Sequence, residues 1–127
     1  MVKIMTQYEV LFCAREKAEL ISEEREFMLE KDNVLVKTEY DLISAGTELA
    51  NYLGLPNTAA DSGWPIHMGY SASGCVIGTG PEVKKFKIGD RVVTGWMGHR
   101  AYHLLSENSN IMHIPDGICS NERVRVA

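Results

Sequence analysis

A mainly β fold, built as a small barrel or sandwich, is what this sequence predicts, and three observations carry it. Short apolar or alternating runs, about six or seven of them, recur between turns rich in Gly, Pro, Asn and Asp. One stretch, S-A-G-T-E-L-A-N-Y-L-G from Ser44 to Gly54, reads as a short helix. The run Tyr70–Gly78 is made of small residues. Ala72 and Gly74 there let another backbone come close, and Gly78, Gly80 and Pro81 break the strand. Small-residue strands with glycine corners suit a tightly curved barrel better than a flat sheet.

Taken in order, Tyr8–Cys13 is the first apolar strand and Ala14–Glu19 a charged hairpin turn. Leu20–Leu29 alternates weakly, with Glu23, Glu24 and Glu26 toward solvent. After a Lys31-Asp32-Asn33 turn, Val34–Tyr40 alternates well: Val34, Val36 and Thr38 on one face, Leu35, Lys37 and Glu39 on the other. In the helix, Thr47 suits the N-cap, Glu48 the first turn and Gly54 the end. Leu49, Tyr52 and Leu53 form its predicted buried stripe. Leu55–Trp64 is a loop. In the central strand Tyr70, Ala72, Gly74 and Val76 share one face, while Ser71, Ser73, Cys75 and Ile77 share the other. A wet lysine loop with Phe86 and Ile88 as apolar pegs leads to Gly89-Asp90 and a strand from Arg91 to Thr94. Gly98–Leu105 is a further strand, and Ser120–Val126 begins a helix.

Length and composition bound the function. A chain of 127 residues is one domain that buries roughly two thirds of its unfolded surface. A net charge of −4 argues against a nucleic-acid binder. No apolar run approaches the ~18 residues of a membrane span, and the N-terminus lacks a signal core, so a cytoplasmic protein is expected. Cys13, Cys75 and Cys119 are odd in number and widely spaced, which reads as reduced thiols.

The run G-Y-S-A-S-G-C-V-I-G-T-G, followed by F-K-I-G-D-R-V, resembles a known block. It is similar to G-H-E-x-x-G-x-V-x-x-x-G…F-x-x-G-D-R-V of the medium-chain dehydrogenase/reductase family. The similarity is to the family's N-terminal GroES-like catalytic domain, and it extends from about Glu9 to the closing I-P-D-G at Gly117. The resemblance implies a partly open GroES-like β-barrel with one or two short helices, occupying residues 1–127. In the family a Rossmann NAD(P)-binding domain follows. Here no strand–G-x-G-x-x-G–helix unit is present, and Gly78-Thr79-Gly80 reads as a strand-ending turn. The expectation is a piece of a longer dehydrogenase, cut at a domain boundary and inactive alone, with NAD(P) bound only in the full-length parent.

Zinc-using members place a Cys, a His and a Glu at positions that are here Ala45, Tyr70 and Ser71. An alanine methyl coordinates nothing, and Tyr and Ser are not usual zinc ligands. No catalytic zinc is therefore expected. The four-Cys structural lobe of the family has no counterpart between Val92 and His103. His99 and His103 on a strand lie about 13 Å apart at about 3.3 Å per residue, too far for one metal ion. They and His67 and His113 are read as surface or satisfied histidines.

Four residues remain as catalytic candidates by resemblance. Thr47 matches the hydroxyl that relays a proton from the substrate alcohol. Tyr70 can point a phenol at a substrate oxygen. Glu48 has an orienting or structural role, and Ser71 stands beside Tyr70 at the same wall. The implied whole enzyme is a zinc-free oxidoreductase of the alcohol dehydrogenase or quinone reductase kind, acting on a small alcohol or carbonyl compound. The alternative is a non-enzymatic barrel that works by protein interaction, like a chaperonin cofactor. A homodimer is expected through an exposed apolar surface for which Trp64, Trp96 and Met97 are candidates.

Overall fold

The computed structural model describes residues 2–95 and 98–118. Its first feature is a long hairpin: β1 (Val2–Ala14) pairs antiparallel with β2 (Lys17–Met28), from Val2 opposite Met28 to Ala14 opposite Lys17. β1 thus begins well before Tyr8, and the turn narrows to Arg15-Glu16, where Glu16 takes φ 56°. β2 is exposed at every position but Phe27. No buried stripe announces such a strand. Its ladder to β1 holds it.

β3 (Asn33–Leu42) and β4 (Ser71–Thr79) form the centre of a five-stranded sheet. β5 (Arg91–Gly95) and the short β8 (Ile111–His113) extend it on the β4 side, and β7 (Tyr102–Ser106) flanks β3. The strand expected over Val34–Tyr40 is present, with both faces covered at Val34–Val36 and with Lys37, Glu39 and Tyr40 exposed. Val34 and Val36 join Val76, Phe86, Val92, Leu105 and Ile111 in one core, whereas Leu35 packs with Phe27 and Leu29 in another. Gly74 explains the small-residue strand: an added Cβ would sit 2.1 Å from the Lys37 carbonyl oxygen of the paired strand.

The strand expected over Gly98–Leu105 is two strands. β6 (His99–Arg100) pairs with β1, whereas β7 pairs with β3. At the corner between them, the Ala101 N–H donates to the Tyr8 carbonyl and its own carbonyl accepts from the Thr38 N–H. The buried Gln7 amide repeats the pattern, donating to the Tyr102 carbonyl and accepting from the Tyr102 N–H, both at 2.9 Å. These bonds curl the two sheets into a mainly β, partly open barrel.

Two short helices cross between β3 and β4. α1 runs Ala45–Tyr52, and a 3-10 turn runs Ala59–Ser62. Ser44, not Thr47, is the N-cap, because the chain is still extended at Ser44 and becomes helical at Ala45. The C-terminus ends as expected at Gly54, φ 67°, with the Leu55 N–H donating to the Ala50 carbonyl and the Gly54 N–H to Asn51. The buried stripe differs from the expected one: Glu48 and Asn51 are buried, while Leu49 is 56% exposed and Tyr52 and Leu53 are half-buried. The inner face of α1 meets polar groups rather than the hydrophobic core. No helix among the described residues is long and apolar enough to cross a membrane.

Trp64 is half-buried, and the large exposed apolar side chains include Ile4, Tyr8 and Leu20 on the hairpin. Trp96, Met97, Cys119 and the helix expected at Ser120–Val126 lie outside the described residues. Cys13 and Cys75 are free thiols.

Candidate active site

α1 is docked at the open end of the barrel by its own polar groups. Glu48 accepts the Ser44 backbone N–H, closing the first turn from within. Asn51 donates to the Thr47 carbonyl and accepts from the Ala59 N–H. At the other end, the Tyr52 hydroxyl donates to the Glu16 carbonyl at 2.7 Å, and the Glu16 N–H donates to the Tyr52 carbonyl. The Tyr52 ring meets Phe12 edge-on at 5.4 Å. The helix is thus tied to the hairpin turn and to the last residues of β1.

Between α1 and the sheets lies a charged triplet. His99 sits on β6 opposite Val10, and its backbone N–H donates to the Met68 carbonyl. Its ring bonds two carboxylates, Nδ1 to Asp41 Oδ2 at 2.5 Å and Nε2 to Glu48 Oε1. Asp41 comes from the end of β3, so one imidazole joins β3, β6 and α1. The Asp41 hydrogen bond, reinforced by Glu48 and opposed by burial, raises the His99 pKa to about 9. The ring is charged at neutral pH with both N–H groups committed. Such a group offers a ligand neither a free donor nor a lone pair. It holds α1 in place and sets the local field.

That triplet floors a cavity of about 570 Å³ with apolar walls from Phe12, Ile43, Ala45, Leu49, Tyr52 and Met68. Leu49 and Ile43 are exposed because they rim its mouth. A second hollow of about 380 Å³ adjoins it, lined by Asn51, Thr58, His67, Tyr70 and Gly98, and Met68 lines both. Gly69, φ 135°, makes the join possible, since a Cβ there would meet the Gly98 carbonyl carbon at 2.6 Å.

The residues singled out from sequence are distributed unequally. Ala45 and Glu48 share the first cavity. Tyr70 lines the second hollow. Ser71 is buried at the start of β4, opposite Leu42 and Gly95. Thr47 is exposed and lines neither hollow. Asp41 and His99 are additions. They stand 58 residues apart, and no spacing in the sequence links them.

The other histidines divide. His67 Nδ1 bonds Glu9 Oε2 at 2.6 Å, and Arg100 Nε donates to the same oxygen at 2.9 Å. Burial alone would raise the Glu9 pKa, but these two partners hold it below its ordinary value. His113 stacks on Phe86 with ring centres 4.4 Å apart and bonds Asp90. His103 is neither at the surface nor satisfied, contrary to expectation. It is 2% exposed, neither ring nitrogen has a hydrogen-bond partner, and burial lowers its pKa to about 4. It stands opposite Val36 on the central sheet.

The donor set does not fit a catalytic zinc. Ala45 presents a methyl group to the cavity. The two His99 nitrogens diverge, each toward its own carboxylate, so no point lies within about 2 Å of all three side chains. Among the described residues no group of three such donors converges. Nor does the Gly78-Thr79-Gly80 turn fit a dinucleotide phosphate. A Cβ at Gly80 would meet the Lys31 and Glu30 carbonyl oxygens at 2.3 and 2.7 Å, so that turn faces acceptors that repel a phosphate. Every described strand pairing is antiparallel.

Comparison with known proteins agrees with this architecture. The chain is 42% identical over 59 residues to a quinone oxidoreductase of Pseudomonas aeruginosa, a stretch that covers 44% of this chain and 18% of that protein. An Escherichia coli oxidoreductase/dehydrogenase of unknown specificity involved in membrane biogenesis superposes with a TM-score of 0.76 at 21% identity. That match covers 96% of this chain and 44% of the other. The quinone oxidoreductase of Coxiella burnetii gives a TM-score of 0.68 at 21% identity over 91% of this chain and 39% of its own. At such identities the structural likeness is one of fold, and the chain spans less than half the length of these proteins. The family model described as the alcohol dehydrogenase GroES-like domain matches residues 30–123, most of the chain. The chain therefore belongs to the alcohol dehydrogenase GroES-like domain family, within the medium-chain dehydrogenase/reductases.

Proposed function

We propose that this chain is the substrate-side domain of a zinc-independent NAD(P)-dependent oxidoreductase of the quinone-reductase kind. The observation that carries the reading is the cavity at α1. Its walls are apolar, it is of ligand size, and it has the Ala45 methyl where zinc-using relatives have a Cys. A metal ion would supply several kcal/mol by polarising a carbonyl. Without one, an activated carbonyl compound or conjugated alkene is the substrate class that needs least help. The nicotinamide nucleotide is held by residues outside these 127, and the isolated chain is inactive.

In this reading Tyr70, from the adjoining hollow, supplies the hydroxyl that meets the substrate oxygen, Glu48 orients α1, and Ser71 fixes the start of β4 next to Tyr70, while Thr47, which lines neither hollow, has no part. Preorganised donors are worth up to about 3–4 kcal/mol each. Tyr70→Phe in the full-length protein is therefore expected to lower kcat by about tenfold or more with little change in KM. The broader test compares NADPH-dependent reduction of a neutral quinone by the full-length protein and by this chain alone. Turnover is expected only from the former. Turnover by the chain alone, or none by the full-length protein with any quinone, ketone or enone, contradicts the reading.

A further inference from the structure

The cavity at α1 combines apolar walls with a floor whose charges do not cancel. Asp41, His99 and Glu48 together carry one net negative charge, and the lining contains no Lys or Arg. The walls cannot compensate, because an apolar lining lowers the local dielectric and lengthens the reach of the floor's field. His99 cannot turn toward an anion either. Both its N–H groups are already donated, and turning would leave two partly buried carboxylates facing each other.

We propose that the Asp41–His99–Glu48 triplet is a charge filter: the cavity admits an uncharged molecule with an apolar body and rejects its carboxylate or phosphate counterpart. The volume of about 570 Å³ suits a one- or two-ring compound. This rests on the reading above only in naming a carbonyl compound as the occupant. The filter itself follows from the lining and the floor. The triplet acts on specificity through its field and through the seat of α1, so its three members are positioning residues rather than groups that touch reacting atoms.

The test is a titration of the 127-residue chain followed by amide NMR shifts. One ligand is methyl naphthyl ketone. The other is naphthoate, nearly identical in shape but anionic and equally unreactive toward Cys13 and Cys75. The ketone is expected to shift amides around Phe12, Ala45 and Leu49, with naphthoate weaker by about tenfold or more. Raising the salt from 0.1 M to 1 M shortens the screening length from about 10 Å to about 3 Å, and the discrimination should fall below about threefold. Asp41→Asn, which removes the net charge, should narrow it similarly at low salt. Equal or tighter naphthoate binding overturns the proposal. So does a preference that salt does not change, shifts that map away from the cavity, or no shift with either ligand. Turnover plays no part in these readouts. A protein that discriminates but never reduces a carbonyl refutes the enzymatic reading alone.

Discussion

His99 and His103 are four residues apart and leave the barrel in opposite protonation states. His99, between two carboxylates, is raised to about 9 from an ordinary 6.5. The stabilisation this represents is complete below about pH 6.5 and is lost as pH rises through 9. Solvent screens the triplet, so its worth is discounted to about 1 kcal/mol. The melting temperature should then fall by about 4 °C between pH 7 and 9.5, and His99→Gln should lack that slope. His103 is lowered to about 4, because burial disfavours its charged form. As pH falls below 6.5 the unfolded chain takes up a proton that the folded chain refuses, so stability declines toward pH 4. Glu9, Asp90 and Glu107 also have lowered values, so their contributions hold above the ordinary carboxylate range and are lost as pH falls through their lowered values. Urea midpoints between pH 6.5 and 4.5 therefore isolate His103. A loss of about 2 kcal/mol is expected across that window, and His103→Phe should abolish it. An acid limb that survives in His103→Phe would assign it to another group.

At the scale of elements, two glycines give opposite expectations. Gly74→Ala drives a Cβ into the Lys37 carbonyl on the neighbouring strand, where only main-chain movement makes room. A loss of about 2 kcal/mol or more in urea unfolding is expected. Gly46 lies in the first turn of α1 with nothing within 4 Å of an added Cβ. Gly46→Ala should stabilise by about 0.5–1 kcal/mol. The same contrast explains what could be read in the sequence. β3 and β4 were legible because alternation, small residues and glycine corners record burial on both faces. β2 was legible only in part, as the weak alternation of Leu20–Leu29 with its glutamates toward solvent, because a strand exposed at nearly every position is held by backbone pairing, which leaves little mark in side-chain type. The break at Ala101 was hidden for a related reason: the apolar period runs through a residue that changes sheets. Glu48 was legible as a first-turn acid of the helix. Its partners His99 and Asp41 were not, since the curl that joins β3, β6 and α1 exists only in three dimensions.

Across the whole molecule, the two sheets and α1 enclose a cavity that is open on one side, rimmed by Ile43 and Leu49. Its charged floor serves as a mechanical tie, and no three metal donors converge among the described residues. In the proposed reading, chemistry at this site comes from a hydroxyl, from field and from a nucleotide seated outside these 127 residues. The most direct measurement is metal analysis of the full-length protein, paired with its NADPH-dependent quinone turnover before and after dialysis against a chelator. The account predicts zinc well below one ion per chain and unchanged turnover. Stoichiometric zinc whose removal abolishes turnover would contradict it.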